Sequence, residues 1–309
     1  SRVVPGLAGV YNQAEQEGER MDIRDYRVTG GKKVVLAERP TTADKGADKD
    51  EIRKKLMPAN IGEMANLQEK LYAENRHSLL LVLQAMDAAG KDGVIRHVMT
   101  GLNPQGTQVV SFKVPSSEEN DHGYLWRINK ALPRRGEIGI FNRSHYEDVL
   151  VARVHDLVRF SQMPPELVTG RIWEQRYRQI RDFERYLGEN GTTVVKVFLH
   201  VSRDEQRERL LDRINEPDKN WKFSSGDIEE RKHWDKYMLA YEQMLEHTAT
   251  EEAPWFVVPA DNKWFSRYLV SQIVLEALQA IDPKIPELPE EEKAKLEECR
   301  KILEEDRSR

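Results

Sequence analysis

The segment Gln84-Ala-Met-Asp-Ala-Ala-Gly-Lys-Asp-Gly93 holds the densest chemistry in the chain. A loop of small residues ending in Gly90-Lys91 bares backbone amides to an anion, and the lysine adds a point charge. That is phosphate chemistry of the P-loop kind. Ala88, Ala89, Gly90, Asp92 and Gly93 form the cradle, and Asp87 and Lys91 are its reactive groups. The pattern departs from G-x-x-x-x-G-K-[ST] twice: Ala85 replaces the first glycine, and Asp92 replaces the metal-binding hydroxyl. Mg²⁺ then needs other oxygen ligands. Asp87, at the end of a strand, is the stronger candidate and Asp92 the other. Taken alone, the segment also reads as an ordinary strand-to-helix turn that happens to contain Gly-Lys.

A second motif runs from Glu137 to His155, EIGIFNRSHYEDVLVARVH. Its strand ends at Asn142, where P-loop proteins carry an acid, and Arg143 follows. Arginine there can grip phosphate bidentately and offset charge that develops during transfer. Glu147 and Asp148 either reach metal-bound water or favour a helix N-terminus. His145 is a candidate phospho-histidine, although a histidine at such a junction is more often a structural hydrogen-bonder. The third motif, Asn215 to Leu245, has a polar loop with Lys219, Trp221, Lys222 and Phe223, then Arg231, Trp234, Tyr237 and Tyr241. A cationic loop tipped with aromatics reads as a mobile lid. Trp234, Tyr237 and Tyr241 fit core packing, whereas Lys222 and Arg231 fit phosphate contacts. Val258 to Arg267, VPADNKWFSR, follows the last strand, where nucleotide kinases often close over a base.

These groups need a rigid frame. Short apolar runs at 78–84, 109–114, 138–141, 194–201 and 255–259 predict strands buried on both faces of a parallel sheet. Helical stretches at 171–187, 204–214 and 228–245 alternate with them, which predicts a doubly wound α/β core over 77–282. A helical arm over 1–76, with a helix at 54–72, precedes it. A charged tail over 283–309 follows, whose helix at 291–306 would dock on its own core or on a second subunit, with disorder as the alternative.

Taken together, DAAGKDG, FNRSHYEDVL, the WKFS lid and PADNKWFSR resemble the polyphosphate kinase type 2 family, over about residues 20–282. The resemblance implies a P-loop kinase of thymidylate-kinase type, with a five-stranded parallel sheet and a helical lid at about 203–235. It implies Mg²⁺-dependent phosphoryl transfer between inorganic polyphosphate and a nucleotide, with Mn²⁺ as a substitute ion. Asp87, Lys91 and Arg143 would be catalytic, with Asp87 and Glu147 as metal ligands. Lys222 and Arg231 would be lid cations, and Asn142, Glu147 and Phe223 would face the acceptor. FNRSHYE looks like the subclass that accepts both AMP and ADP, with guanine as a second base. A conventional ATP-dependent nucleotide kinase and a non-catalytic phosphate-binding protein are the alternatives.

Composition bounds these readings. The 309 residues carry 48 Lys and Arg against 53 Asp and Glu, a net charge of -5. A nucleic-acid-coating protein would usually be basic overall. No run approaches the ~20 apolar residues that span a bilayer, and the single Cys299 excludes an internal disulfide. No basic-then-apolar export signal opens the chain, so a cytoplasmic enzyme is expected, here a homo-oligomer (dimer or tetramer). The first residue, Ser1, points to a processed or engineered terminus. The cations are clustered: Arg127, Lys130, Arg134, Arg135 and Arg143 lie close in sequence and, with Arg96, would form a polyphosphate track. A second arginine-rich stretch, Arg171 to Arg185, suits a solvated helix face as well as it suits an anion.

Overall fold

Ser78–Ala85, SLLLVLQA, is apolar almost throughout, and such a strand is stable only with both faces covered. In the structure, a computed structural model describing residues 21–306, it lies inside a six-stranded sheet. The strands are β1 (Arg27–Val28), β2 (Ser78–Ala85), β3 (Thr107–Ser111), β4 (Ile138–Asn142), β5 (Thr192–His200) and β6 (Trp255–Pro259). Their order is β1-β6-β5-β2-β4-β3. The last five are mutually parallel, as expected. The sheet is nonetheless mixed, because β1 from the arm pairs antiparallel with β6. Two residues show no periodicity, so β1 exists only because it covers the edge of β6. The first twenty residues of the expected arm lie outside the described residues.

Parallel pairing has one consequence that matters for chemistry. The carboxyl ends of β2, β3, β4, β5 and β6 gather at one edge, and the loops after them converge there. Helices Met57–Glu74, Lys91–Val98 and Lys263–Ile281 pack together on one face of the sheet. Asn60 ties the arm to that layer by donating to Ser271 Oγ (3.1 Å) and Gln272 Oε1 (3.0 Å). Helices Ile172–Glu189 and Trp234–Thr248 cover the other face, where Phe198 of β5 meets Tyr241 with ring centroids 4.3 Å apart. The helix expected over 228–245 is in fact two, Ser225–Arg231 and Trp234–Thr248. Their faces serve different neighbours: Glu230 pairs with His155 at 2.9 Å, while Trp234, Tyr237 and Tyr241 enter the core. The tail forms a helix, Glu290–Asp306, none of whose residues is buried against the core.

Lys196 shares the Phe198 face, two residues away, and is fully buried. Its ammonium donates to Glu184 Oε2 (2.6 Å), to the Thr248 carbonyl (2.8 Å) and to Tyr146 Oη (3.1 Å). One charge thus ties β5 to both helices of that layer. Lys196→Met leaves Glu184 buried without its cation, and denaturant titration should show a loss of about 3–5 kcal/mol. A loss below 1 kcal/mol would remove this pair from the forces that hold the layer.

Candidate active site

The P-loop begins where β2 ends at Ala85 and closes at Gly90, whose φ of +110° suits a residue without Cβ. Ala88 adopts φ +61° with its Cβ in place, and Arg143 across the cleft adopts +63°. Each left-handed residue costs about 1–2 kcal/mol, and such strain clusters at functional sites. Gly90 caps the Lys91–Val98 helix without a side chain, so the amides of Lys91, Asp92 and Gly93 have no intrahelical acceptor and are free for an anion.

Lys91 Nζ donates to the Ala85 carbonyl at 3.1 Å. Burial, and then the charge of Arg143, pull its pKa below the usual lysine value, against Asp87, Glu147 and Asp92. The charged form is the one that serves an anion, so activity belongs below this pKa and fades as pH rises through it. The alkaline limb of kcat/KM should therefore fall below the ordinary lysine range near ~10.4. The limb of kcat should lie higher, because bound phosphate favours the ammonium. Coincident limbs in a pH–rate series would remove Lys91 as the titrating group.

Arg143 follows β4 and donates from Nη2 to Asp87 Oδ1 at 2.7 Å, with Glu147 Oε2 3.7 Å from Nη1. Glu147 also accepts from Gln84 (3.0 Å), and burial raises its pKa against Arg143, Gln84 and Lys91. Asn142 donates to Asp92 Oδ1 at 2.8 Å, which joins the first and second motifs. The two motifs meet as the sequence anticipates, and together they line a cleft of about 690 Å³. Its walls carry Lys91, Lys113, Arg143, Arg209, Arg213, Lys219, Lys222, Lys263 and Arg267, against Asp87, Asp92 and Asp212. An excess of cations this large, on a protein of net charge -5, is an anion site.

Several expected residues sit elsewhere. Glu147 lies behind Arg143 and off the cleft wall, where it serves as a holder of that guanidinium. Arg231 also lies off the wall: it donates to Gln206 Oε1 (2.7 Å), and Gln206 donates to the Asp87 carbonyl (3.0 Å). It therefore reaches the loop through an intermediary. Phe223 is half exposed and Arg96 is exposed, one turn beyond Gly93, and neither lines the cleft. Arg134 lies in the turn before β4, at the amino edge of the sheet and a strand's length from the P-loop. The run from Arg127 to Arg143 thus does not follow the cleft. Arg127 donates to the Lys113 carbonyl (2.8 Å) over the Phe112 ring, and only Arg143 reaches the wall. His145 is fully buried with Nε2 3.4 Å from Glu184, a structural position out of reach of the cleft.

The sequence reading missed Gln206, Arg209 and Arg213, which lie on one face of helix Arg203–Asn215 at helical spacing. That spacing was the available signal. Arg209 is the most connected: Nη1 donates to the carbonyls of Ala88 (3.1 Å) and Ala89 (2.8 Å). Its Nη2 donates to those of Ala260 (2.7 Å) and Asp261 (3.0 Å), and Nε to Glu205 (2.8 Å). Lys263 and Arg267, read as part of a segment over the base, stand in the cleft wall.

For a metal ion, Asp87 offers Oδ2, which no hydrogen bond reaches among the described residues. No cluster of three His, Cys, Asp or Glu exists among them that could cage a metal. That fits an ion such as Mg²⁺, which takes one or two carboxylates and completes its shell with water and phosphate oxygens.

A family model described as Polyphosphate kinase 2 (PPK2) matches residues 46–286. The chain is 48% identical over 286 residues to an ADP-polyphosphate phosphotransferase of Rhodopseudomonas palustris, covering 92% of this chain and 99% of that one. It is 51% identical over 224 residues to an AMP/ADP-polyphosphate phosphotransferase of Meiothermus ruber, covering 72% of this chain and 80% of that one. Among solved structures, polyphosphate kinase 2 from Arthrobacter aurescens TC1 aligns with a TM-score of 0.81 at 42% identity, covering 91% of this chain and 98% of that one.

Proposed function

The chain belongs to the polyphosphate kinase 2 family, and on that premise we propose that it transfers a phosphoryl group between inorganic polyphosphate and AMP or ADP. The observation that carries the reading is the cation-lined cleft built on Lys91 and the Asp87–Arg143 pair. The terminal phosphate of the nucleotide is already ionised at neutral pH and needs no general base. Its oxygen attacks the terminal phosphorus of the polyphosphate in line, the bridging P–O bond breaks, and the chain leaves one phosphate shorter. Lys91, Arg143 and the first-turn amides stabilise the charge spread over the moving group.

Mg²⁺, or Mn²⁺ in its place, would be held by Asp87 with Asp92 as the other loop carboxylate, and when bound supplies charge neutralisation between donor and acceptor phosphates. The parallel part of the sheet supports a thymidylate-kinase type of core, with the segment 203–235 as its lid. Lys219 and Lys222 on that segment would close over the phosphates and exclude water. Adenine nucleotides are the acceptors of choice, with guanine as a second base. The exposed apolar stripe of the tail, Leu296, Ile302 and Leu303, supports a homo-oligomer. No helix among the described residues is long and apolar enough to cross a membrane.

The test is direct. With polyphosphate as sole donor and no ATP added, AMP should yield ADP, and ADP should yield ATP. Transfer that appears only when ATP is the donor would replace this reading with an ATP-dependent nucleotide kinase.

A further inference from the structure

The carbonyls of three consecutive P-loop residues, Asp87, Ala88 and Ala89, are all bonded to helix Arg203–Asn215. Arg209 takes the second and third. Gln206, one turn earlier on the same face, takes the first, and its Nε2 donates to the Asp87 carbonyl at 3.0 Å. Gln206 is 1% exposed and does not line the cleft. Its other end is fixed as well, because Oε1 accepts from Arg231 Nη1 at 2.7 Å. A guanidinium can only donate, so the amide is held with its oxygen toward Arg231 and its N–H toward Asp87.

The peptide that Gln206 holds is the one that joins Asp87 to Ala88. Ala88 carries φ +61°, and φ measures how that peptide plane is turned about the Ala88 N–Cα bond. A half-turn of the plane would return Ala88 to negative φ and relieve the strain of a left-handed residue that has a Cβ. The hydrogen bond opposes this turn, and strain and bond are of similar size. The peptide is trans, so its N–H points away from Gln206. Ala88 lines the cleft, and no acceptor among the described residues takes that N–H. Turning the plane would exchange a donor for a carbonyl oxygen on the wall of an anion site.

Resting on the activity proposed above, we infer that Gln206 is a positioning residue for phosphoryl transfer: it holds the Asp87–Ala88 peptide in its strained orientation and so keeps the Ala88 N–H aimed at phosphate. Packing gives no reason for a glutamine at this place. Methionine would fill the same space with no amide to satisfy. Glutamine instead supplies the one donor that the Asp87 carbonyl has among the described residues. Arg231 enters through the same side chain, since it fixes which end of the amide faces the loop. The role differs from that of Arg209, which braces two segments against each other, because Gln206 acts on a single peptide plane.

The experiment compares Q206M and Q206E with the wild type, and Q206M/A88G with A88G. Q206M removes both bonds. Q206E keeps an acceptor for Arg231, which favours its folding, but has no hydrogen for the Asp87 carbonyl. Both should lose about tenfold in kcat/KM with polyphosphate as donor. Glycine adopts positive φ without steric cost, so on the A88G background the loss caused by Q206M should shrink to about twofold. A side chain that merely fills the core would lose the same factor on both backgrounds. That result overturns the proposal, and so does a Q206E with the wild-type rate. Calorimetric binding of tripolyphosphate to the same proteins should repeat the pattern, and it needs no turnover. A wild type that binds tripolyphosphate but transfers nothing from polyphosphate overturns the activity reading alone. The binding series then decides on Gln206, where equal weakening on both backgrounds sinks the positioning role and unequal weakening keeps it.

Discussion

Lys91→Ala is expected to lower kcat by about 10²–10³-fold while the protein keeps its thermal transition. The side chain is packed at the end of β2, yet its one hydrogen bond among the described residues is to the Ala85 carbonyl, so little of the fold hangs on it. What it supplies is charge at the mouth of the loop. Phosphoryl transfer asks the protein mainly for positioning and electrostatics, so removing a cation that faces the moving group should cost rate more than binding. Arg143→Ala should lose a similar factor for a partly different reason. It takes away the guanidinium that Asp87 and Glu147 share, and the carboxylates then repel across the space it held. Arg143→Lys should not restore the rate, because an ammonium cannot hold two carboxylates and a phosphate in one plane. Steady-state rates with polyphosphate as donor, set beside thermal unfolding, check both. A near-normal kcat in either variant, with folding intact, would take that residue out of the reaction.

β2, β4, β5 and β6 were legible because each is a dense apolar run, and a run buried on both faces has few other uses. β3 departs from the expected 109–114 run, for it is Thr107–Ser111 at the sheet's edge, with none of its residues buried. β1 was not legible. Arg27–Val28 carries no pattern of its own, and its pairing is a property of the edge it covers. The two loops at the carboxyl edge were legible for a chemical reason: Gly90-Lys91 and Asn142-Arg143 are combinations that phosphate binding requires and packing does not. The sequence reading erred where proximity in the chain was taken for proximity in space. Arg134 and Arg143 stand on either side of a strand, which carries them to opposite edges of the sheet. Conversely, Arg209 and Ala89 are far apart in sequence and joined at 2.8 Å. Charge that reaches a site from a remote helix is visible only once the strands are ordered.

Arg209 carries the second large effect. Arg209→Ala should lower stability by about 3 kcal/mol and kcat by about 10²-fold together. Its guanidinium is nearly buried and donates to two carbonyls of the P-loop and two of the segment after β6, so it sets the distance between them. Without it, those carbonyls lose their donors and the loop bearing Lys91 loses its brace, although Lys91 and Arg143 are still present. Arg209→Lys should recover little, since one ammonium cannot reach both segments with the same fork. Hydrogen exchange separates this role from that of Lys91. The amides of Ala89 to Val94 should exchange faster in Arg209→Ala and be unchanged in Lys91→Ala. If exchange across the loop is unaltered in Arg209→Ala while kcat falls, Arg209 acts on the phosphates directly and the brace is the wrong description. If neither changes, the loop holds its shape from β2 and the Lys91–Val98 helix alone.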